Sequence, residues 1–424
     1  MKQASLSNGL RICAIEMPAV RHVSIRLIVG AGSRDDPREK AGISHFVEHL
    51  LFRSTERHPH ESALRAHVAS MGATMNAHTT KESTTLEIDV SARHVRAALR
   101  LIAEVLLTPT FNGLEVERRI VLEEMAHVYD ESDGTIWAME ELGESKLWPY
   151  NMLGIPVIGE PLTVLGITLD DVKQYLARHY RAGGMVLAIA GAFELDAIMK
   201  DIEALFGSLP PGAPERSRTT PGSKAAALHL VENRFATRCG MRMMFPCAGY
   251  GPVGIAGALT MFVLGSNGAG RLHDVLRSRT GIAYAGDADI TLYADAGKLT
   301  VHSDVKKEKL PQLVEAVSRT LRDLRDRGPS PEELHAAKES YCFMLEAMLG
   351  TPASAAQAEG LALATNEPSL DEEIELTRAA TAAEVWDWCR ATLRAKSAQI
   401  VVNGPREEDD LSSAWRSFET ALGD

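Results

Sequence analysis

Hydrophobic and polar residues recur along the chain with the periods of strands and helices. Residues 4–30 predict a strand, a turn at Asn8-Gly9 and a second strand, because LSNGLRICAIE carries the turn signal and HVSIRLIVGAG alternates. Residues 73–90, ATMNAHTTKESTTLEIDV, are rich in threonine and alternate toward their end, which is typical of a strand with one solvated side. The apolar run 185–192 predicts a buried strand.

Helical periodicity separates these strands and returns in the second half of the chain. A helix through Leu64 and Val68 ends at Gly72, and further helices are predicted over 92–107, 112–129 and 168–180. The second half repeats this order in outline, with strands near 225–247, 283–305 and 398–402 and helices near 254–264, 308–327, 331–349 and 381–392.

Proline, glycine and serine concentrate between these two halves, in the segment 207–224, GSLPPGAPERSRTTPGSK. That composition marks an interdomain linker. A chain of 424 residues is also long enough for two domains of about 200 residues each. The sequence therefore predicts a first domain over 1–206, a linker over 207–224 and a second, similar domain over 225–424.

The stretch GISHFVEHLLFRST, residues 42–55, places its chemistry and its packing on opposite faces of one helix. At about 100° of turn per residue, the polar face carries His45, Glu48 and His49, and the apolar face carries Ile43, Phe46, Val47, Leu50 and Leu51. Histidines four residues apart present two imidazoles to one ion from consecutive turns, and the glutamate projects to the same side. This inverted His-x-x-Glu-His order predicts a metal site. The alternative is a solvated polar stripe on an amphipathic helix.

A third ligand is expected from the helix that contains LEVERRIVLEEMAHV. On a helical wheel Glu117 and Glu124 lie at the edge of its apolar stripe, whereas Glu123 points nearly the opposite way. A carboxylate at the edge of a buried face needs hydrogen bonds or a cation. Glu124 is therefore the candidate ligand, and Glu117 is the candidate partner that orients a histidine. Without the two histidines, this helix would be interpreted as an acidic surface helix.

Two further patterns bear on the site. The strand over 73–90 could dock an extended peptide beside a metal by strand addition, although an ordinary sheet strand has the same pattern. In the second half, the helix at the position of the metal helix reads GIAGALTMFVLG and holds neither histidine nor acid. We therefore expect one metal site per chain, in the first half.

Composition excludes several classes of partner. The formal net charge of −12 argues against nucleic acid and against an anionic membrane surface. The start MKQASLSNGL lacks the apolar core of a signal peptide, and the run 185–192 is far short of a membrane span. We expect a soluble, cytoplasmic protein with no membrane partner. The five cysteines form no CxxC pair and are odd in number, which favours reduced structural thiols over disulfides or a second metal site.

The order of these motifs resembles the pitrilysin family of inverted-motif zinc metallopeptidases, in particular the short-chain branch of the mitochondrial processing peptidases and their bacterial relatives. The resemblance extends over essentially the whole chain. It is carried by LSNGL at 6–10, AGSRDD at 31–36, HFVEHLLF at 45–52, GATMNAHTTKEST at 72–84, ERRIVLEE at 117–124 and GRLHDVLRSRTGIAY at 270–284. It implies an α+β fold of two similar domains, each a mostly antiparallel sheet packed with helices on one side, a duplicated α/β roll.

The resemblance also implies a role for each matching residue. His45, His49 and Glu124 match the zinc ligands, Glu48 matches the catalytic base that activates a zinc-bound water, and Glu117 matches the acidic residue supporting the site. Asn76 and Ala77 match the edge-strand positions that hold substrate backbone, and Arg277 and Tyr284 match the pair that binds the substrate carbonyl. The sequence departs from the family pattern at three places that bear on side-chain preference: His78 replaces an aromatic residue, FRST replaces Phe-Lys-Gly-Thr, and the acidic segment 129–133 lacks a proline.

These roles predict a zinc metalloendopeptidase that cleaves short or unfolded peptides with one Zn²⁺ per chain. In the family, the arginine and tyrosine reach the zinc half from a facing subunit across a closed chamber, so a chain carrying both sets predicts a homodimer. A heterodimer with a different chain is an alternative, as is a non-catalytic scaffold subunit with the same fold. A hydrolase of non-peptide substrates is a further alternative, against which the Asn76 strand argues.

Overall fold

The computed structural model describes residues 1–130, 134–216, 218–222, 224–265, 268–405 and 408–423. The acidic segment 129–133, which the sequence distinguishes from the family pattern, therefore lies mostly outside the described residues. The predicted linker 207–224 is described except at positions 217 and 223. Among the described residues, no helix is long and apolar enough to cross a lipid bilayer.

The strands and helices follow one another in a mixed order along the chain. The strands are β1 Lys2–Ser5, β2 Arg11–Glu16, β3 His22–Val29, β4 Thr74–Thr79, β5 Thr84–Ser91, β6 Met185–Gly191, β7 Ala227–Glu232, β8 Arg238–Cys247, β9 Gly286–Leu292, β10 Gly297–Lys306 and β11 Gln399–Gly404. The first helices are α1 Ile43–Leu51, α2 Glu61–Ser70, α3 Val95–Leu107, α4 Leu114–Asp130, α5 Gly134–Leu147, α6 Pro161–Leu165, α7 Leu169–His179 and α8 Leu195–Phe206. The later helices are α9 Pro252–Leu264, α10 Arg271–His273, α11 Leu310–Arg327, α12 Pro331–Met348, α13 Pro352–Thr365, α14 Leu370–Ala379, α15 Ala382–Thr392 and α16 Glu408–Leu422. A π-helical segment, Asp274–Arg279, continues α10.

Packing divides the chain into two compact units, and each unit includes a segment from the other half of the sequence. The first unit contains Met1–Ala126, Ile155–Thr219 and Glu346–Leu370. The second contains His127–Gly154, Thr220–Leu345 and Asp371–Asp424. The chain passes from one unit to the other at Thr219–Thr220, inside the predicted linker. The boundaries of the two similar domains, 1–206 and 225–424, remain a prediction from the sequence.

In the described part of the first unit, six strands form a sheet in the order β1-β2-β6-β3-β5-β4. The β2–β6 pair is parallel and the other neighbours are antiparallel. Alternating side chains of these strands, such as Ile25 and Leu27 on β3, join the main core with the apolar faces of α1 and α3. Because β4 is the last strand in this order, its outer backbone edge is not paired within the sheet.

The opposite face of this sheet is covered by α13. Cys13, Ile28, Val186 and Ala188 point to that face and form a core with Ala355 and Ala356 of α13. Gly360 allows the helix to lie close to the sheet, since a Cβ at this position would lie only 2.6 Å from Ile28 Cδ1. A segment from the second half of the sequence therefore completes the first unit.

In the described part of the second unit, five strands form a sheet in the order β7-β11-β8-β10-β9, again with one parallel pair, β7–β11. Helix α5 packs on this sheet, where a Cβ at Gly143 would lie 2.4 Å from Met244 Sδ. Both units thus combine a mostly antiparallel mixed sheet with packed helices. This confirms the predicted α+β fold of two similar domains.

The prediction of one strand over 73–90 is wrong in one respect, because the segment forms a hairpin of β4 and β5. Its turn is closed by Thr80, whose hydroxyl accepts hydrogen bonds from the backbone N–H groups of Glu82 and Ser83 at 3.3 and 3.0 Å. Several helices have no counterpart in the sequence prediction, namely α5, α6, α8, α13, α14 and α16.

Candidate metal centre

The start of the helix that carries the histidines is fixed by the backbone conformation of Gly42 and by the side chain of Asp36. Gly42 precedes α1 with φ of 93°, and its N–H donates to Asp36 Oδ2 at 2.8 Å. The same carboxylate accepts from the backbone N–H and the hydroxyl of Ser44, at 3.3 and 3.2 Å. A Cβ at position 42 would lie 2.5 Å from the Ile158 carbonyl oxygen, so only glycine fits here. The Asp36 side chain thus satisfies donors that a helix start leaves open.

The face of α1 toward the core agrees with the sequence prediction. The five apolar residues predicted to pack are buried: Ile43, Phe46, Val47, Leu50 and Leu51. With this face fixed, the opposite face presents His45 and His49 toward α4. Their ring centroids are 4.5 Å apart.

Three predicted ligand groups converge above this face. The Nε2 atoms of His45 and His49 lie 3.8 and 3.5 Å from the two carboxylate oxygens of Glu124. These spacings exceed the usual hydrogen-bond length of about 2.9 Å. They approach the distance of roughly 3.3 Å between neighbouring ligand atoms in a tetrahedral zinc site with bonds of about 2.0 Å. Among the described residues, these three form the one cluster of histidine, cysteine and acidic side chains with ligand spacing.

Glu117 holds one of the two imidazoles in place. Its Oε1 accepts from His49 Nδ1 at 2.8 Å, which leaves His49 Nε2 directed at Glu124. Glu117 lies two turns before Glu124 on α4 and is 5% exposed. A carboxylate that accepts from the second ring nitrogen fixes the tautomer and orientation of a metal-binding histidine. The predicted contact of Glu117 with a histidine is therefore present.

The surroundings set the protonation of the two imidazoles differently. Burial, together with the neighbouring His49, lowers the pKa of His45 to about 3. Burial also acts to lower the pKa of His49, but the Glu117 hydrogen bond and the charges of Glu48 and Glu124 outweigh it and raise this pKa. Metal ions bind neutral imidazole, so His45 is already in the ligand form at neutral pH. The donor set of two imidazoles and one carboxylate fits a catalytic zinc site.

Glu48 lies on the same face but is held away from the three-residue cluster. Its Oε2 accepts a hydrogen bond from the Thr79 hydroxyl at 2.7 Å, at the end of β4. Burial raises the pKa of Glu48, while the Thr79 hydrogen bond and the charges of His49 and His78 act in the opposite direction. A carboxylate with a raised pKa beside a metal site is suited to accept and return a proton.

The predicted substrate strand borders the same site. Asn76 and Ala77 belong to β4, where they pair with Glu87 and Leu86 of β5. Both residues line a cavity of about 560 Å³ that also reaches Glu48 and His49. The walls of this cavity are mixed, with apolar contributions from Phe52, Leu64, Val68 and Met75 beside charged and polar side chains. The structure therefore brings all seven predicted residues of the first unit to one site.

Arg277 and Tyr284 belong to the second unit and contact each other. The guanidinium carbon of Arg277 lies 4.5 Å from the centre of the Tyr284 ring. Tyr284 is 72% exposed, and Arg277 is also exposed on the π-helical segment. This contact is a cation–π pair at the surface.

Comparison with known proteins gives the family. The description Insulinase (Peptidase family M16) matches residues 11–159, and Peptidase M16 inactive domain matches residues 166–341. The chain belongs to peptidase family M16, the insulinase or pitrilysin family. The match named for an inactive domain covers a part of this M16 chain whose described residues contain no cluster of metal-ligand type.

Relatives of this M16 peptidase chain are named as zinc proteases. It is 29% identical over 345 residues to the uncharacterized zinc protease YmxG of Bacillus subtilis, covering 80% of this chain and 82% of that protein. It is 30% identical over 207 residues to a probable mitochondrial-processing peptidase subunit beta of Arabidopsis thaliana, covering 48% of this chain and 38% of that protein. A peptidase M16 inactive domain from Pseudomonas fluorescens shares its fold, with a TM-score of 0.85, 20% identity and coverage of 96% and 98%.

Three residues of the M16 site were not singled out by the sequence. Thr79 bonds to Glu48, Asp36 caps α1, and Arg53 contacts Glu117 at 3.3 Å. Arg53 lies two residues after the end of α1, so the helical period does not extend to it. Thr79 acts from a strand 31 residues after Glu48, and Asp36 lies six residues before Gly42 outside the helix, so the helical period relates neither of them to α1.

Proposed function

We propose that this M16 protein is a zinc-dependent endopeptidase that hydrolyses peptide bonds in short or unfolded peptides. The convergence of His45, His49 and Glu124 beside Glu48 is the observation that carries the proposal. Membership of a family whose relatives are named zinc proteases supports it further. The cytoplasmic location and the absence of nucleic-acid and membrane partners stay predictions from the sequence.

The two imidazoles and the Glu124 carboxylate would hold one Zn²⁺ per chain. Zinc bound by three protein ligands lowers the pKa of water at its fourth position and polarises a carbonyl group. Glu117 keeps His49 in the orientation that such binding requires.

Glu48 then moves the proton. With Oε2 held by Thr79, Glu48 accepts a proton from the attacking water as the oxygen bonds to the scissile carbonyl carbon. Glu48 returns that proton to the nitrogen of the scissile peptide bond as this carbon–nitrogen bond breaks. The buried position of Glu48 raises its pKa, which makes the carboxylate a stronger base toward the attacking water.

The substrate backbone would lie along β4. The outer edge of this strand is not paired within its sheet, so the peptide groups near Asn76 and Ala77 can bond to an extended peptide. Recognition through the backbone favours peptides over other hydrolysable substrates.

The test measures zinc content and cleavage of a quenched peptide library by the purified protein. We expect about one zinc per chain, and we expect Glu48→Gln to retain zinc while losing at least about 100-fold in turnover. Mass spectrometry of the products would locate the cleaved bonds. A zinc-loaded wild-type protein that cleaves no peptide would contradict the proposal and favour the non-catalytic scaffold.

We further propose a homodimer in which Arg277 and Tyr284 of one chain bind the substrate carbonyl at the metal site of the other. Donors that stabilise a developing oxyanion are commonly worth about 3–4 kcal/mol each. Mixing Glu48→Gln chains with Arg277→Ala chains should restore part of the activity, because one of the two sites is then intact. A mixture as inactive as either parent would contradict sharing. A mass corresponding to one chain in light scattering would favour a heterodimer with an absent partner.

A further inference from the structure

Arg53 lies between the metal site and the wall of the adjoining cavity. It follows α1 and its side chain is 19% exposed. Its Nε lies 3.3 Å from Glu117 Oε2, and its Nη1 donates to Glu61 Oε2 on α2 at 2.6 Å. One guanidinium therefore contacts two carboxylates from different helices.

The Arg53 contact reaches the metal site through one intervening residue. Glu117 Oε1 accepts a hydrogen bond from His49 Nδ1, while its Oε2 forms a buried ion pair with Arg53 Nε at 3.3 Å that lacks hydrogen-bond geometry. Because Glu117 is 5% exposed, solvent does little to compensate its charge if a partner is lost. A rigid planar guanidinium can face two acids at once, which a lysine ammonium does with less geometric definition.

The backbone near Arg53 is shaped to admit this side chain. Gly113 has φ of +87°, and a Cβ there would lie 3.1 Å from Arg53 Nη2. The guanidinium is therefore confined on three sides, by Glu61, Glu117 and the Gly113 backbone. Such confinement fixes the position of the charge more firmly than an exposed surface pair would.

We propose that Arg53 is a positioning residue for the metal site, which it orders through Glu117 and His49. Glu61 in turn holds Arg53, so the wall of the 560 Å³ cavity formed by α2 is linked to a metal ligand. This inference rests on the proposed zinc function. It assigns Arg53 a role in metal affinity that does not require contact with the substrate.

The chain supplies a matched control in Arg65. Arg65 also pairs with Glu61, with its Nε 2.6 Å from Glu61 Oε1, but its side chain is 79% exposed. Both arginines therefore share one carboxylate, whereas the contact with Glu117 is made by Arg53. Replacing each of them separates the contact with Glu117 from the general loss of a positive charge beside the cavity.

The experiment compares the zinc dissociation constants of the full-length variants, measured by competition with a chromogenic chelator. Loss of a group that orients a metal ligand typically weakens metal binding about 10- to 100-fold, so the zinc dissociation constant of Arg53→Met should rise by an amount in or near this range. Arg53→Lys should lose less zinc affinity, because it keeps the positive charge. The zinc dissociation constant of Arg65→Met should stay within about twofold of wild type, because exposed ion pairs contribute little. Unfolding of the metal-free variants, followed in urea, identifies any that do not fold.

A double variant tests whether Arg53 acts through Glu117. If it does, Arg53→Met combined with Glu117→Gln should bind zinc no more weakly than Glu117→Gln alone. Equal zinc affinities of folded Arg53→Met and Arg65→Met would overturn the positioning role while leaving the peptidase proposal intact. If the loss of zinc affinity in the double variant equals the product of the two single-variant losses, the positioning role would also be overturned. Failure of the wild-type protein to bind zinc would overturn both proposals.

Discussion

The Glu48 carboxylate is held by a hydroxyl that belongs to the strand proposed to bind substrate. Thr79 is the last residue of β4, three positions after Asn76, and donates to Glu48 at 2.7 Å. A side chain with one oxygen fixed has fewer rotamers available, so its other oxygen is better positioned for proton transfer. The strand that aligns a peptide therefore also orients the proposed base.

Removing this hydroxyl should slow the chemical step and leave substrate binding nearly unchanged. A hydrogen bond to a charged group is worth about 1.5–3 kcal/mol, so Thr79→Val should lower kcat by about tenfold or more with little change in KM. Thr79→Ser, which keeps the hydroxyl, should recover most of the loss. Steady-state kinetics on a quenched peptide measure both variants. A change confined to KM would show that Thr79 contacts the substrate instead.

At the scale of elements, the direction of α1 decides whether its two histidines can meet Glu124. The helix starts after Gly42, which combines a positive φ with a close approach to the Ile158 carbonyl oxygen, and Asp36 caps that start. The helix end alone does not fix this direction, since Phe52 is an ordinary helix C-cap with φ of −93°. The start of α1 therefore bears on the metal site although neither Gly42 nor Asp36 is one of the three candidate ligands.

Gly42→Ala should destabilise the protein much more than a similar change at Gly72. Both glycines have positive φ, which costs a non-glycine residue roughly 1–2 kcal/mol. A Cβ at position 42 would also overlap the Ile158 carbonyl oxygen, whereas at position 72 nothing lies within 4 Å. In urea unfolding, we expect Gly42→Ala to lower the free energy of unfolding by about 3 kcal/mol or more, and Gly72→Ala to lower it by about 1 kcal/mol. Equal losses would show that the close approach relaxes at no cost.

The start of α7 should make stability depend on pH in the acid range. The Lys40 ammonium donates to Asp171 Oδ2 at 2.7 Å, and the Thr168 hydroxyl and N–H donate to the same oxygen. These contacts lower the pKa of Asp171 from 3.8 to about 2. Because the folded pKa is lowered, the stabilisation is complete well above pH 3.8 and is lost as the pH falls toward 2.

Asp171→Asn should therefore be less stable than wild type at pH 6, and the difference should shrink as the pH is lowered through 4 and 3. Asp170→Asn is the matched control, since Asp170 is an exposed acid in the same helical turn. Urea unfolding at several pH values measures both differences. A difference between Asp171→Asn and wild type that does not change with pH would contradict the assignment of this pKa.

At the scale of the whole molecule, each compact unit depends on a segment from the other half of the sequence. Helix α13 covers one face of the first sheet, and α5 packs on the second sheet. A sequence boundary at 206 or 219 therefore does not isolate a complete first unit. Duplicated domains that exchange a helix in this way are not expected to fold independently in their contiguous form.

A fragment of residues 1–219 should be less stable than the same fragment with 346–370 attached through a flexible linker. Without α13, buried side chains such as Ile28 and Val186 are exposed to water. Restoring the helix should raise the free energy of unfolding by about 3 kcal/mol or more and reduce binding of an apolar dye. Substituting Gly360 by valine in the attached segment is the control, because its side chain would meet Ile28. Equal stability of the two fragments would contradict the role of α13.

The sequence determined the features that depend on local order. The period of α1 placed His45, Glu48 and His49 on one face and five apolar residues on the other, and the wheel of α4 separated Glu124 from the exposed Glu123. Both inferences hold because neighbours on a helix are fixed by its geometry. Strand alternation and the turn at Asn8-Gly9 are local in the same sense.

Tertiary structure decided which distant residues meet. Thr79 meets Glu48 and Arg53 meets Glu117 because of the angles at which β4, α1 and α4 pack, and those angles follow from side-chain volumes across the core. Likewise, α5 and α13 show little separation of apolar and polar faces, so periodicity alone predicted neither helix nor the unit it joins. Neighbouring residues determine local backbone geometry. Packing partners are determined only when the whole chain folds, because they depend on side chains that are far apart in sequence.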